Sequence, residues 1–290
     1  MFGLKAHWGK IVFSVITSVF VDVILHMLFA PRIEYDFPPS FFVEKGLFLP
    51  AASVALVIWF GTLAIVFAFI QNNLAGNRVM KGLRCGVGFA GLCFLAIFEM
   101  CLIFDSPVVD ELRTSATDAV SLLFLGLLLG RFVGTDSKHF GRQEKVEPVL
   151  FIVIPLTFLF GRYFGYSIVH IMSAYKEQPI PTFAWTLAIG LWIGITYWLL
   201  KEKSDKPPVM HAVRFGILIF GTYWLIYNLF VLLFVNVSVV DVFVRVIIDV
   251  LSVTVGIWAV NELSPKKTIA AGKTTTQQYT PADGLQTPLT

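Results

Sequence analysis

Eight runs of about 20 mostly apolar residues follow one another along the chain, at 11–30, 48–70, 85–104, 114–133, 149–172, 182–200, 213–236 and 240–261. A helix needs about 20 such residues to cross a hydrocarbon core roughly 30 Å thick. The runs lack the in–out alternation of a membrane barrel strand, so each predicts a transmembrane helix. The first run follows Lys5 and Lys10, as a signal peptide would. Its length, its Asp22 and His26, and its end at Phe29-Ala30-Pro31 without a small-x-small site predict a retained helix instead.

Composition agrees with this pattern. Of the 290 residues, 57% are hydrophobic and 14% charged, against about 45–50% and about 25% in soluble domains. A soluble globule, a disordered chain, a coiled coil and a disulfide scaffold are excluded. Cys85, Cys93 and Cys101 share the third run without metal or redox spacing, and predict small packing residues.

Charge then orients the helices. Most of the 22 Lys and Arg fall on one side of the predicted spans; Arg32, Lys45, Arg113, Lys176 and Arg245 fall on the other. This bias places both termini in the cytoplasm, with a prokaryotic inner membrane as the expected location. The net charge of +3 therefore reflects topology, and no nucleic-acid partner is expected. The expected partners are the lipid bilayer and either further copies of the chain or a larger membrane complex.

The chain also matches itself. Lys81-Gly-Leu-Arg-Cys-Gly-Val87 resembles His211-Ala-Val-Arg-Phe-Gly-Ile217, and Val108-Val109-Asp110 recurs as Val239-Val240-Asp241. Asp118 recurs as Asp249 at the same offset of 131 residues, Thr62-Leu63-Ala64-Ile65 as Thr186-Leu187-Ala188-Ile189, and Ile24-Leu25-His26 as Ile168-Val169-His170. The predicted fold is thus an all-α membrane bundle of two parallel four-helix repeats related by a pseudo-two-fold along the membrane normal. The repeats are 1–133 and 149–263, joined by a cytoplasmic linker at 134–148 and followed by a disordered tail at 264–290.

Ionisable residues inside a bilayer cost roughly 2.5–3.5 kcal/mol each at a helix centre, so they are paired or functional. The candidates are Asp22, His26, Glu99, Asp118, Arg162, His170, Asp241, Arg245 and Asp249. Nearly all fall in the outer halves of their predicted spans, which suggests an outward-facing polar cavity. Asp22 and His26, spaced i, i+4, share a helix face. Asp241, Arg245 and Asp249, spaced i, i+4, i+8, read as one Arg neutralising two Asp on its own helix. Asp118 has no such neighbour and needs a partner from another helix, Arg162 or His26; Glu99 poses the same problem. Asp22, His26, His170, Asp118 and Asp249 could together hold a divalent metal or relay protons. No Lys lies within the predicted spans, no phosphate-binding or hydrolase motif occurs, and no cofactor is assigned.

The leading expectation is therefore a transporter or ligand-binding permease rather than an enzyme. In it Asp22, His26, Glu99, Asp118, Arg162, His170 and Asp249 bind ligand or relay protons. The alternatives are a non-catalytic accessory or scaffold subunit and a membrane metalloprotein using the paired His and Asp.

Overall fold

The computed structural model describes residues 3–29, 38–136, 147–202 and 206–264, with side chains from Trp8 onward. Among these residues the chain is helical, with one isolated bridge between Pro39 and Val235. Eight helices are long and apolar enough to cross a membrane. In order they are α1 (Gly3–Phe29), α3 (Phe48–Ile70), α4 and α5 (Arg78–Ile97 and Glu99–Phe104), α6 (Val108–Phe132), α7 (Leu150–Phe164), α8 (Pro179–Leu200), α9 and α10 (Pro208–Val213 and Thr222–Val231), and α11 (Val239–Leu263). A short α2 (Phe41–Glu44) precedes α3. Large apolar side chains such as Phe20, Leu49, Phe160 and Leu251 stand exposed around the bundle, a surface suited to lipid and not to water.

Helix ends depart from the hydropathy runs. The third helix begins at Arg78 instead of residue 85, because the Asn77 side chain accepts from the Met80 amide at 2.8 Å and caps it. The fourth begins at Val108 instead of 114. Lys81, expected in a loop, therefore lies inside α4 and is fully buried; its Nζ donates to the Thr135 carbonyl at 2.9 Å. Hydropathy marks bilayer depth, whereas caps mark helix ends. The expected linker and tail lie outside the described residues except at their margins.

Neighbour relations recur along the chain. Helix α1 packs on α3 and α6, and α7 packs on α8 and α11. Helix α4 packs on α6, and the α9–α10 helix packs on α11. Across the middle, α4 meets α8 and α3 meets α10. Glycine permits the closest approach: a Cβ on Gly82 of α4 would stand 2.2 Å from the Gly126 carbonyl oxygen of α6. Trp192 of α8 lies against Gly91 of α4 and donates to the Gly88 carbonyl at 3.0 Å.

Three of the long helices are irregular. The third breaks at Phe98, between α4 and α5. The fifth ends in a π turn at Gly165–Val169, and the seventh widens into a π helix at Arg214–Gly221. Such breaks free backbone geometry from the α register and mark functional regions more often than chance.

Helices alternate in direction, which defines two ends. The far end carries residues 38–47, 105–107, 170–178 and 232–238. There the segment before α2 is stitched to the loop before α11. The Ser40 amide donates to Phe234 O at 3.0 Å, the Asn236 amide to Pro38 O at 2.9 Å, and Ser40 Oγ to Leu233 O at 2.5 Å.

Candidate functional site

Apart from Lys81 and Glu202 at the opposite end, and Asp110 and Glu111 at the start of α6, the buried charges gather in two clusters, both in the half of the bundle nearer the far end. The first joins α1 to α6. The i, i+4 spacing puts Asp22 and His26 on the face of α1 that packs inward, with Ser14 and Ser18 continuing the same stripe; Ser14, Ser18 and Asp22 are fully buried. His26 Nδ1 lies 3.0 Å from the Asp22 carbonyl oxygen and 3.4 Å from Asp22 Oδ2. His26 Nε2 lies 3.4 Å from Asp118 Oδ1 on α6. Cys93 of α4 approaches Asp118 Oδ2 at 3.7 Å. Neither carboxylate oxygen of Asp22 has a hydrogen-bond partner.

The second cluster sits among α5, α7, α10 and α11, and centres on Arg162, which is fully buried. Its Nη1 meets Glu99 Oε1 at 2.7 Å, and its Nε stands 2.7 Å from Asp249 Oδ1 as an ion pair whose N–H is not aimed along the contact. Trp224 Nε1 donates to Asp249 Oδ2 at 2.7 Å. Arg245 Nη1 reaches the same Glu99 Oε1 at 3.0 Å, while Arg245 Nη2 donates to Met172 O at 2.6 Å and lies 3.5 Å from Asp241 Oδ2. The guanidinium of Arg162 also lies over the rings of Trp185 and Phe158, at 5.2 and 5.5 Å from their centroids. Tyr166 Oη stands 3.4 Å from Arg162 Nη1.

This arrangement answers some sequence expectations and corrects others. Asp118 finds His26 and not Arg162. Glu99 is shared by two arginines. The Asp241, Arg245, Asp249 stripe does not neutralise itself: Arg245 keeps Asp241, but Asp249 turns to Arg162 on α7. Helix spacing predicts which groups share a face; the choice of partner belongs to the neighbouring helix. The five residues offered as one metal set are divided between the clusters. Asp22, His26 and Asp118 meet, Asp249 belongs with Arg162, and His170 joins neither. His170 stands exposed in a left-handed turn (φ 62°) that closes the π segment after α7.

The open polar cavity expected at this end is a small one. A cavity of about 30 Å³ lies beside Glu99, Arg245, Asn228 and Tyr227, with Met172 and Val237 among its apolar walls. Sequence reasoning also missed Trp224 and Cys93 as donors to the two aspartates. Each precedes its aspartate by 25 residues, so the 131-residue offset between Asp118 and Asp249 applies to the donors as well and could have found them.

The two clusters differ in charge. The second holds two arginines against Glu99, Asp241 and Asp249. The first holds two aspartates against one histidine. Burying a charge is costly unless it is paired; each cluster leaves one acid over when His26 is charged, and the first leaves two when His26 is neutral. No protein-family model, curated protein or solved structure matches the chain.

Proposed function

We propose that the protein is a polytopic membrane transporter or ligand-binding permease built from two parallel four-helix repeats, with its ligand handled where the repeats meet. The observation that carries this reading is Glu99. It lies just after the helix break at Phe98, in the first repeat, and bridges Arg162 and Arg245 of the second. A rocking motion of one repeat against the other would break this bridge and expose two arginines beside the cavity. A ligand with an anionic group could then take the place of the Glu99 carboxylate.

The duplication is supported by three relations. The packing of α1 on α3 and α6, and of α4 on α6, recurs as that of α7 on α8 and α11, and of the α9–α10 helix on α11. The two contacts across the middle, α4 with α8 and α3 with α10, exchange under the proposed two-fold. The offset between matching residues also grows from 130 at Arg84 and Arg214 to 131 at Cys93 and Trp224. The π helix at Arg214–Gly221 lies between those points, and a π turn accommodates the additional residue.

The test is solute transport by purified protein in proteoliposomes. Concentration jumps of carboxylates, phosphates, amino acids and sugars are applied on a solid-supported membrane. A current or uptake with an anionic solute, lost in Glu99→Gln at unchanged folding, is the expected result. No response to any solute from well-folded protein overturns it. The small cavity favours a second reading, an accessory subunit of a larger complex. Gentle extraction followed by native mass spectrometry would then show a fixed partner polypeptide.

A further inference from the structure

The first cluster has a chemistry of its own. A backbone carbonyl can only accept, so the 3.0 Å contact between His26 Nδ1 and Asp22 O fixes the proton on Nδ1. In the neutral imidazole, Nε2 then presents a lone pair. That lone pair faces Asp118 Oδ1 at 3.4 Å, another acceptor. Two acceptors face each other stably only with a cation between them.

Charge selects among cations. Asp22 is fully buried and neither of its carboxylate oxygens has a hydrogen bond. A proton on Nε2 would satisfy Asp118 and leave the second carboxylate uncompensated. A divalent ion neutralises both aspartates with the histidine neutral. One ligand atom each from Asp22, His26 and Asp118 lies within 4.8 Å of the others. The 3.4 Å separation of Nε2 and Oδ1 is about the edge of a tetrahedron with ligand bonds of roughly 2.1 Å. The Nδ1 contact to a backbone carbonyl is the outer contact that orients metal-bound histidines.

The second cluster shows what the first lacks. Asp249 stands where Asp118 stands, 131 residues on, and carries the Arg162 guanidinium against it at 2.7 Å. By the offset of 144 residues that pairs His26 with His170, the counterpart of Arg162 is Ser18. The first half has a buried hydroxyl, itself without a partner, where the second half has a fixed cation. We infer that Asp22, His26 and Asp118 form a divalent cation site for a borderline ion such as Zn²⁺, ligated by one imidazole nitrogen and two carboxylates. The site does not depend on the transport reading.

Equilibrium dialysis tests this with untagged full-length protein in nanodiscs, stripped with chelator and titrated with Zn²⁺ alone. One Zn²⁺ per chain is expected in the wild type and in His170→Gln. Affinity should fall at least tenfold in His26→Gln and in Asp118→Asn. Binding that is absent from the wild type, or equal in His26→Gln, overturns the inference. Should both variants fail to fold, the wild type decides: Zn²⁺ at one equivalent raises its melting temperature if the site is real and leaves it unmoved if not. No gradient is involved, so a negative result here and a negative transport assay are independent.

Discussion

Trp224 stands to Asp249 as Cys93 stands to Asp118. Each lies 25 residues before its aspartate on the preceding long helix and directs its donor at Oδ2, the indole at 2.7 Å and the thiol at 3.7 Å. The two contacts differ in strength. An indole N–H at 2.7 Å to a carboxylate is a charge-assisted bond, whereas a thiol is a weak donor. Trp224→Phe keeps the ring and removes the donor, leaving a buried carboxylate oxygen unsatisfied. It should destabilise the protein by about 1–3 kcal/mol. Cys93→Ala should cost less in donor terms, and thermal melting in detergent compares the two.

Removal of Arg162 should be more severe. Its guanidinium compensates both Glu99 and Asp249 at 2.7 Å, so Arg162→Met leaves two buried acids short of a cation. Breaking such a buried pair costs about 3–5 kcal/mol. The double variant Arg162→Met with Asp249→Asn should recover part of the loss, because one uncompensated charge is gone. Equal melting of the single and double variants would contradict the pairing.

Gly82 and Gly61 should respond in opposite directions to the same substitution. A Cβ at Gly82 would lie 2.2 Å from the Gly126 carbonyl oxygen, and both partners are backbone, so α4 and α6 must separate. A Cβ at Gly61, inside α3, meets nothing within 4 Å. Gly82→Ala should lower the yield of folded protein, and Gly61→Ala should leave stability unchanged or raise it by up to about 1 kcal/mol. Size-exclusion profiles and melting temperatures of the two proteins settle this.

Tyr166 touches Arg162 from the same helix, one turn on, at 3.4 Å, and its ring stacks on Tyr175 with centroids 5.6 Å apart. Tyr166→Phe keeps the stack and loses only a long hydrogen bond. It should cost no more than about 1 kcal/mol, whereas Tyr166→Ala removes a buried ring and should cost about 3–5 kcal/mol. A small difference between the two would mean that the ring does not hold the π turn.

The eight long helices were legible because bilayer thickness imposes a length that hydropathy reads directly. Asp22 and His26 were legible as a pair because helix periodicity fixes their common face. The choice of Asp249 for Arg162 was not legible: Arg245, four residues away on the same helix, is an equally good partner by spacing. Only the packing of α7 on α11 decides between them. His170 matched His26 in sequence, but the left-handed turn at its own position places it outside. The π helix at Arg214–Gly221 was hidden because one inserted residue leaves an apolar run apolar.

The stitch between Pro38–Ser40 and the segment Leu233–Asn236 makes the far end resist separation. Its three hydrogen bonds tie the strand of chain ahead of α3 to the turn ahead of α11. At about 1 kcal/mol net for each bond, parting these segments costs about 3 kcal/mol. A molecule with that bias spends under about 1% of its time unlatched. On the transport reading proposed above, a solute entering from this side would wait on that rare event, and loosening Ser40 would raise the rate of entry before it altered anything the buried charges do.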